Sequence, residues 1–216
     1  MPSVKGGDPE ASLARVMAEA RACTVCAAHL PLGPRPVLRG QVTARLMILS
    51  QAPGTRVHET GLSFNDRSGD RLRAWLDLDR DIFYDESRVA IMGMGLCYPG
   101  RYPQGGDLPP RPECAPLWHA RVLDCLPRLE LLLLVGSYAI DYYLKPRAGM
   151  TETVARWRDF LPRHLPLPHP SWRTTKWERD NPWFNAELLP ELRRRVRKLV
   201  QPPASMRSMS SSLKPK

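Results

Sequence analysis

No run of 18 or more apolar residues occurs in this 216-residue sequence, and the longest candidate, residues 129–135 (LELLLLV), is strand-sized and interrupted by Glu130. A membrane-spanning helix is therefore not expected. The N-terminal stretch MPSVKGGDPEAS lacks the apolar segment of a secretory signal, so a reducing, cytoplasmic compartment is expected. Acidic residues are in deficit, 22 against 32 basic ones, for a formal charge of +10. That excess suits a polyanionic partner as well as it suits simple solubility. No internal repeat is visible. Because 43% of residues are hydrophobic and 25% charged, the chain has the makings of a real core, and disorder throughout is excluded.

What is abundant is proline, 23 residues, which predicts short elements joined by many loops. Short apolar runs stop abruptly at turn residues, as buried strands do: residues 45–50, 89–96, 129–135 and the proline-containing 164–167. Helical patterns fall at 9–22, 69–78, 114–126, 137–145, 151–161 and 184–199. In the last, Leu188, Leu192 and Val196 point inward and the basic run 193–198 outward. Strands alternating with helices predict an α/β fold, a three-layer α/β/α sandwich around a central four-stranded parallel sheet. Residues 1–200 are expected to form one domain, with 201–216 a low-complexity, disordered tail. In a parallel sheet ligands bind beyond the carboxyl ends of the strands. The segments leaving the four strands, 51–54, 93–97, 136–138 and 168–171, should thus meet on one rim.

Five cysteines in a reducing compartment suggest a metal site before disulfides. Cys23 and Cys26 form a C-x2-C pair, which presents two thiolates to one metal centre. Cys97 and Cys114 bracket 16 residues of proline-rich chain that no regular element can organise, so a metal centre joining them to the first pair would fix that loop. Spacing alone leaves zinc and iron–sulfur both open. Cys125, in a helical pattern beside Leu123 and Leu126, reads as a small buried hydrophobe.

Taken in order along the chain, these residues resemble the uracil-DNA glycosylase superfamily, most closely its iron–sulfur family 4 type and bacterial relatives. The matching segments are Cys23 with Cys26, the SQAPG of residues 50–54 against the family's G-E-x-P-G, and TGLSF at 60–64 followed by Ser68 and Gly69. Cys97 with Cys114 and His169-Pro-Ser171 complete the set. The resemblance implies a DNA glycosylase that hydrolyses the N-glycosidic bond of uracil or a related deaminated base in base excision repair. It also implies that Cys23, Cys26, Cys97 and Cys114 hold a [4Fe-4S] cluster in preference to zinc. DNA is the implied partner, with no membrane, no nucleotide cofactor and a monomer favoured.

Chemically, such a reaction needs a flipped base, a pocket for it, a donor for the departing anion and a water at the sugar carbon. The resemblance assigns His169 to the base O2, where a donor placed for the transition state supplies several kcal/mol. Phe64 would stack on the base, and the backbone of Gln51 and Ala52 would meet a base carbonyl. Pro53 and Gly54 would let the loop approach the sugar and phosphate, Ser171 would hold a phosphate, and Trp172 and Arg173 are candidates for wedge and backbone contact. The sequence departs from the family at two places. Gln51 and Ala52 stand where an acidic residue is usual, and glutamine can orient a water but cannot take its proton; His58 and Glu59 are the nearby substitutes. Gly93 stands where the family has a uracil-reading asparagine. These departures motivate an alternative, a non-catalytic DNA- or damage-binding protein that keeps the fold and cluster; a cluster protein with redox or small-molecule function is a third.

Overall fold

The computed structural model describes residues 8–201, so the expected C-terminal tail lies, but for Gln201, outside the described residues. Helix α1 (Pro9–Arg21) opens with Asp8, whose side chain accepts from the Glu10 N–H, as an N-cap should. Strands β1 (Leu38–Arg39) and β2 (Leu46–Ser50) follow, then α2 (Thr55–Thr60), α3 (Arg67–Leu76), α4 (Arg80–Tyr84) and β3 (Val89–Gly93). After the proline-rich loop come α5 (Cys114–Asp124), β4 (Leu131–Val135), α6 (Ser137–Leu144), α7 (Met150–Ala155), β5 (His164–Leu167), α8 (Thr174–Asp180) and α9 (Leu189–Val200). A π-helical turn, Phe184–Leu188, leads into α9.

Among the described residues the sheet has five strands in the order β1-β3-β2-β4-β5. The expected four parallel strands are present, paired β3 to β2, β2 to β4 and β4 to β5. The expectation of four strands needs one correction: the two-residue β1 adds an antiparallel edge on β3, Leu38 opposite Met92 and Arg39 opposite Ile91. So short a strand carries no periodic pattern and is invisible in the sequence. Every residue of β3 and β4 is buried. Since successive side chains point to opposite faces, both faces are covered by helices, and the fold is a three-layer α/β/α sandwich. Helix α3 packs on α9, and α1 on α5.

The basic run of α9 is largely occupied within the fold. Arg193 donates to the carbonyls of Ala74 and Trp75, Arg194 and Arg195 pair with Glu191, and Arg197 with Asp77. Cys125 caps the end of α5 and is half-buried against the core. Among the described residues no helix is long and apolar enough to cross a membrane.

Candidate active site at the carboxyl edge of the sheet

β2, β3 and β5 end on one side of the sheet, and their exit segments enclose a cavity of about 100 Å³. That is below the roughly 300–1,000 Å³ of drug-sized clefts and suits a ligand of nucleobase size. Gln51, Ala52, Pro53 and Gly54 from the end of β2, Phe64 ahead of α3, Gly93 from β3 and His169 beyond β5 all border it. Ser171, Trp172 and Arg173 lie outside its wall; Trp172 is 79% exposed with Arg173 stacked on its ring at 5.4 Å. The third exit segment acts indirectly. Gly136, at φ +90°, has no side chain, and a Cβ there would lie 3.4 Å from that of His169.

Phe64 is held in an unusual state. It has φ +56°, a conformation a bulky residue adopts only when its surroundings impose it. The imposition is visible. A Cβ on Gly69 would stand 1.7 Å from the Phe64 carbonyl oxygen, so only glycine lets the first turn of α3 sit there. The buried Arg73 donates to the same carbonyl at 3.4 Å. The ring meets Phe83 edge-on at 6.1 Å and is 8% exposed. Phe64 thus forms a fixed wall of the cavity.

His169 is half-buried, and its backbone carbonyl is held by the Ser171 N–H at 2.8 Å and by the Thr174 hydroxyl. Arg71 of α3 pins the chain beyond it, donating to the Ser171 carbonyl at 3.0 Å and pairing with Glu178 at 2.6 Å. Burial lowers the imidazole pKa, partly opposed by the charges of Asp66 and Asp107. A neutral ring is the result near pH 7.

Asp66 and Asp107 are the site residues that sequence reasoning missed; both border the cavity. The alternatives named from sequence do not border it. The His58 ring faces Tyr98 at 6.0 Å, and the Glu59 carbonyl accepts from Arg35. Gln51 does line the cavity, and its amide nitrogen donates to the Leu108 carbonyl at 3.4 Å.

At the cavity floor, Gly93 admits no side chain: a Cβ would come within 2.4 Å of the Gly95 carbonyl oxygen. Gly93→Ala is accordingly expected to lower stability by about 1–3 kcal/mol, the cost of overpacking, measured by urea denaturation. Behind the floor, the fully enclosed His119 (1% exposed) stands with Nε2 3.1 Å from the Gly93 carbonyl and Nδ1 2.7 Å from the Tyr143 hydroxyl. A carbonyl only accepts, so Nε2 carries the proton and Nδ1 accepts from Tyr143. Burial pushes the His119 pKa down to about 4 from 6.5. The folded state then resists a proton that the unfolded chain accepts. Stability is unaffected above pH 6.5, falls between pH 6.5 and 4, and is lower by roughly 3 kcal/mol beneath that window. Thermal melts across pH 7 to 4 check this, and His119→Gln should flatten that slope.

Cys23, Cys26, Cys97 and Cys114 border a second cavity, together with Leu96, Arg111 and Trp118. All four are free thiols. Burial first, and then the charges of the other three, push the Cys114 thiol up to about 12; Cys26 and Cys97 are raised for the same leading reason. Backbone N–H groups face two of the sulfurs, Leu96 at 3.2 Å from Cys114 Sγ and Arg35 towards Cys97. Arg111 Nε and Trp118 Nε1 are buried and have no partner among the described residues. No group of three or more His, Cys, Asp or Glu side chains among the described residues is drawn together as a single metal ion would need; the thiols stand around the cavity wall.

Sheet, rim and cavity define an α/β protein with a small cavity where the strands end. The model of the uracil DNA glycosylase superfamily matches residues 38–193, and the chain belongs to that superfamily. DNA glycosylase chemistry on DNA is general to the superfamily. The match spans every cavity-lining residue but Val37 and leaves Cys23 and Cys26 outside it.

Proposed function

We propose that this chain is a DNA glycosylase that hydrolyses the N-glycosidic bond of uracil or a related deaminated base, closest to the iron–sulfur family 4 type. The observation that carries this reading is the half-buried His169 lining a nucleobase-sized cavity together with the fixed Phe64. A flipped base entering the cavity meets the Phe64 ring and the strand-end backbone of Gln51 and Ala52. The neutral His169 donates to the carbonyl on which negative charge grows as the glycosidic bond breaks, without itself giving up a proton. Pro53 and Gly54 would leave room for the sugar and phosphate, and the exposed Trp172, three residues beyond His169, is a candidate to fill the vacated stack.

Cys23, Cys26, Cys97 and Cys114 would hold a [4Fe-4S] cluster. Burial raises the thiol pKa of Cys26, Cys97 and Cys114, a cost that a cationic centre would relieve, and thiols standing around a cavity wall would suit a cluster that takes one thiolate per iron. The unpartnered N–H groups of Arg111 and Trp118 and the paired one of Leu96 are donors for its sulfurs. When bound, the group supplies structural rigidity, tying the loop 98–113 to the N-terminal pair.

A second reading, DNA or damage binding without cleavage, is favoured by Gly93, which offers the base only backbone. One experiment separates the two. Single- and double-stranded oligonucleotides carrying uracil, hypoxanthine or xanthine are incubated with the protein and treated with alkali. Strand cleavage at one of these bases is expected; intact strands with tight, steeply salt-dependent binding would favour the second reading.

A further inference from the structure

We propose that Asp107 is the catalytic carboxylate of this site, supplied by the loop between Cys97 and Cys114 in place of the acid missing at Gln51 and Ala52; this rests on the glycosylase reading. Three observations support it. First, the loop is not shapeless. Leu108 N–H bonds to the Gly100 carbonyl and Tyr102 N–H to that of Gly106, both at 2.9 Å, and Arg101 bridges Asp107 antiparallel, so the segment doubles back as a tight hairpin. Its turn runs through Gly105 and Gly106 at φ +95° and +90°, conformations that suit glycine.

Second, the returning arm delivers Asp107 to the end of β2. A Cβ on Gly54 would lie 3.6 Å from Asp107 Oδ2, and the next residue, Leu108, accepts the Gln51 amide. The carboxylate therefore reaches, from a different strand connection, the loop on which the family pattern carries its acid. Third, the carboxylate is available. Its ion pair with Arg101 is long, 3.6 Å, and the side chain is 44% exposed.

Asp66, the other carboxylate bordering the cavity, is committed to structure. Its Oδ1 accepts from the Gly69 N–H at 2.9 Å as the N-cap of α3. It contributes charge near His169, and its capping bond fixes the turn on which Phe64 depends.

The step balances as a hydrolysis. A water oxygen bonds to C1′ of the flipped nucleotide while its proton passes to the Asp107 carboxylate. The bond from C1′ to the base nitrogen breaks, its electron pair leaving with the base, whose anion is held by the His169 N–H. The base then takes a proton from solvent and Asp107 returns its own, leaving an abasic site and a neutral base.

Single-turnover rates on the preferred oligonucleotide test the assignment. Asp107→Asn should lower the rate about 100-fold or more, in line with general-base contributions, with DNA affinity within about threefold of wild type. Asp107→Ala should be equally slow, and added formate should restore part of its rate, which a merely structural role would not allow. An Asp107→Asn rate within about threefold of wild type, or no formate rescue of a slow Asp107→Ala, overturns the assignment while leaving the glycosylase reading intact. A wild-type protein that excises no base overturns both.

Discussion

His169→Ala is expected to slow base release by about 100- to 1,000-fold in single turnover, the loss typical of removing one donor to a developing oxyanion, while DNA binding changes little. The size of the effect follows from the environment. Burial keeps the imidazole neutral, and a neutral N–H donates to the departing anion without a competing proton transfer. Asp66 and Asp107 moderate that lowering without reversing its direction. A compensating side-chain donor is not at hand at the end of β3, because Gly93 carries no side chain. His169→Gln retains a donor and should recover part of the lost rate, whereas a rate unchanged in His169→Ala would remove this residue from the chemistry.

Cys114→Ser is expected to have the largest effect on the folded protein. Cys114 begins α5 and accepts the Leu96 N–H, so it links the end of the β3 exit segment to the next helix. Loss of a thiolate there should leave the purified protein poor in iron and sulfide and pale where wild type is brown. Its melting temperature should drop by about 10 °C, as a loss of several kcal/mol gives in a domain of this size. Base release should fall as well, because the loop that carries Asp107 is anchored at that cysteine. Colourless wild-type protein, or a Cys114→Ser variant with full iron content, would refute the cluster.

The sheet was legible because its strands announce themselves as apolar runs that end at turn residues. The run at 164–167 coincides with β5 despite its proline, and the ends of β2 and β5 placed Gln51 and His169 on one rim. The ordered motifs did the rest for Phe64 and Gly93. Less could be read where segments are short or irregular. β1 has two residues, and α2, α4 and α8 have six, five and seven, too few for a periodic pattern to stand out. Phe64 was legible as a pocket residue, but its strained backbone was not, since that depends on Gly69 and Arg73 closing over it.

Asp107 was missed for a related reason. It lies in proline- and glycine-rich chain without periodicity, 53 residues beyond Gly54, and only the folded loop brings the two together. The signal available in the sequence was a Gly-Gly-Asp turn inside a segment bracketed by two candidate metal ligands. Asp66 carried a clearer one, as an aspartate three residues ahead of Gly69 at the start of an amphipathic helix, which is the signature of an N-cap.

The most direct test of the glycosylase reading is the mass balance of a single turnover. Wild-type protein is mixed in excess with an oligonucleotide carrying one uracil, and the products are separated by chromatography and weighed by mass spectrometry. The geometry of the site predicts free uracil and an oligonucleotide with one abasic sugar in equal amounts, formed without strand cleavage before alkali. Recovery of the intact oligonucleotide, with no free base from uracil, hypoxanthine or xanthine substrates, would contradict it.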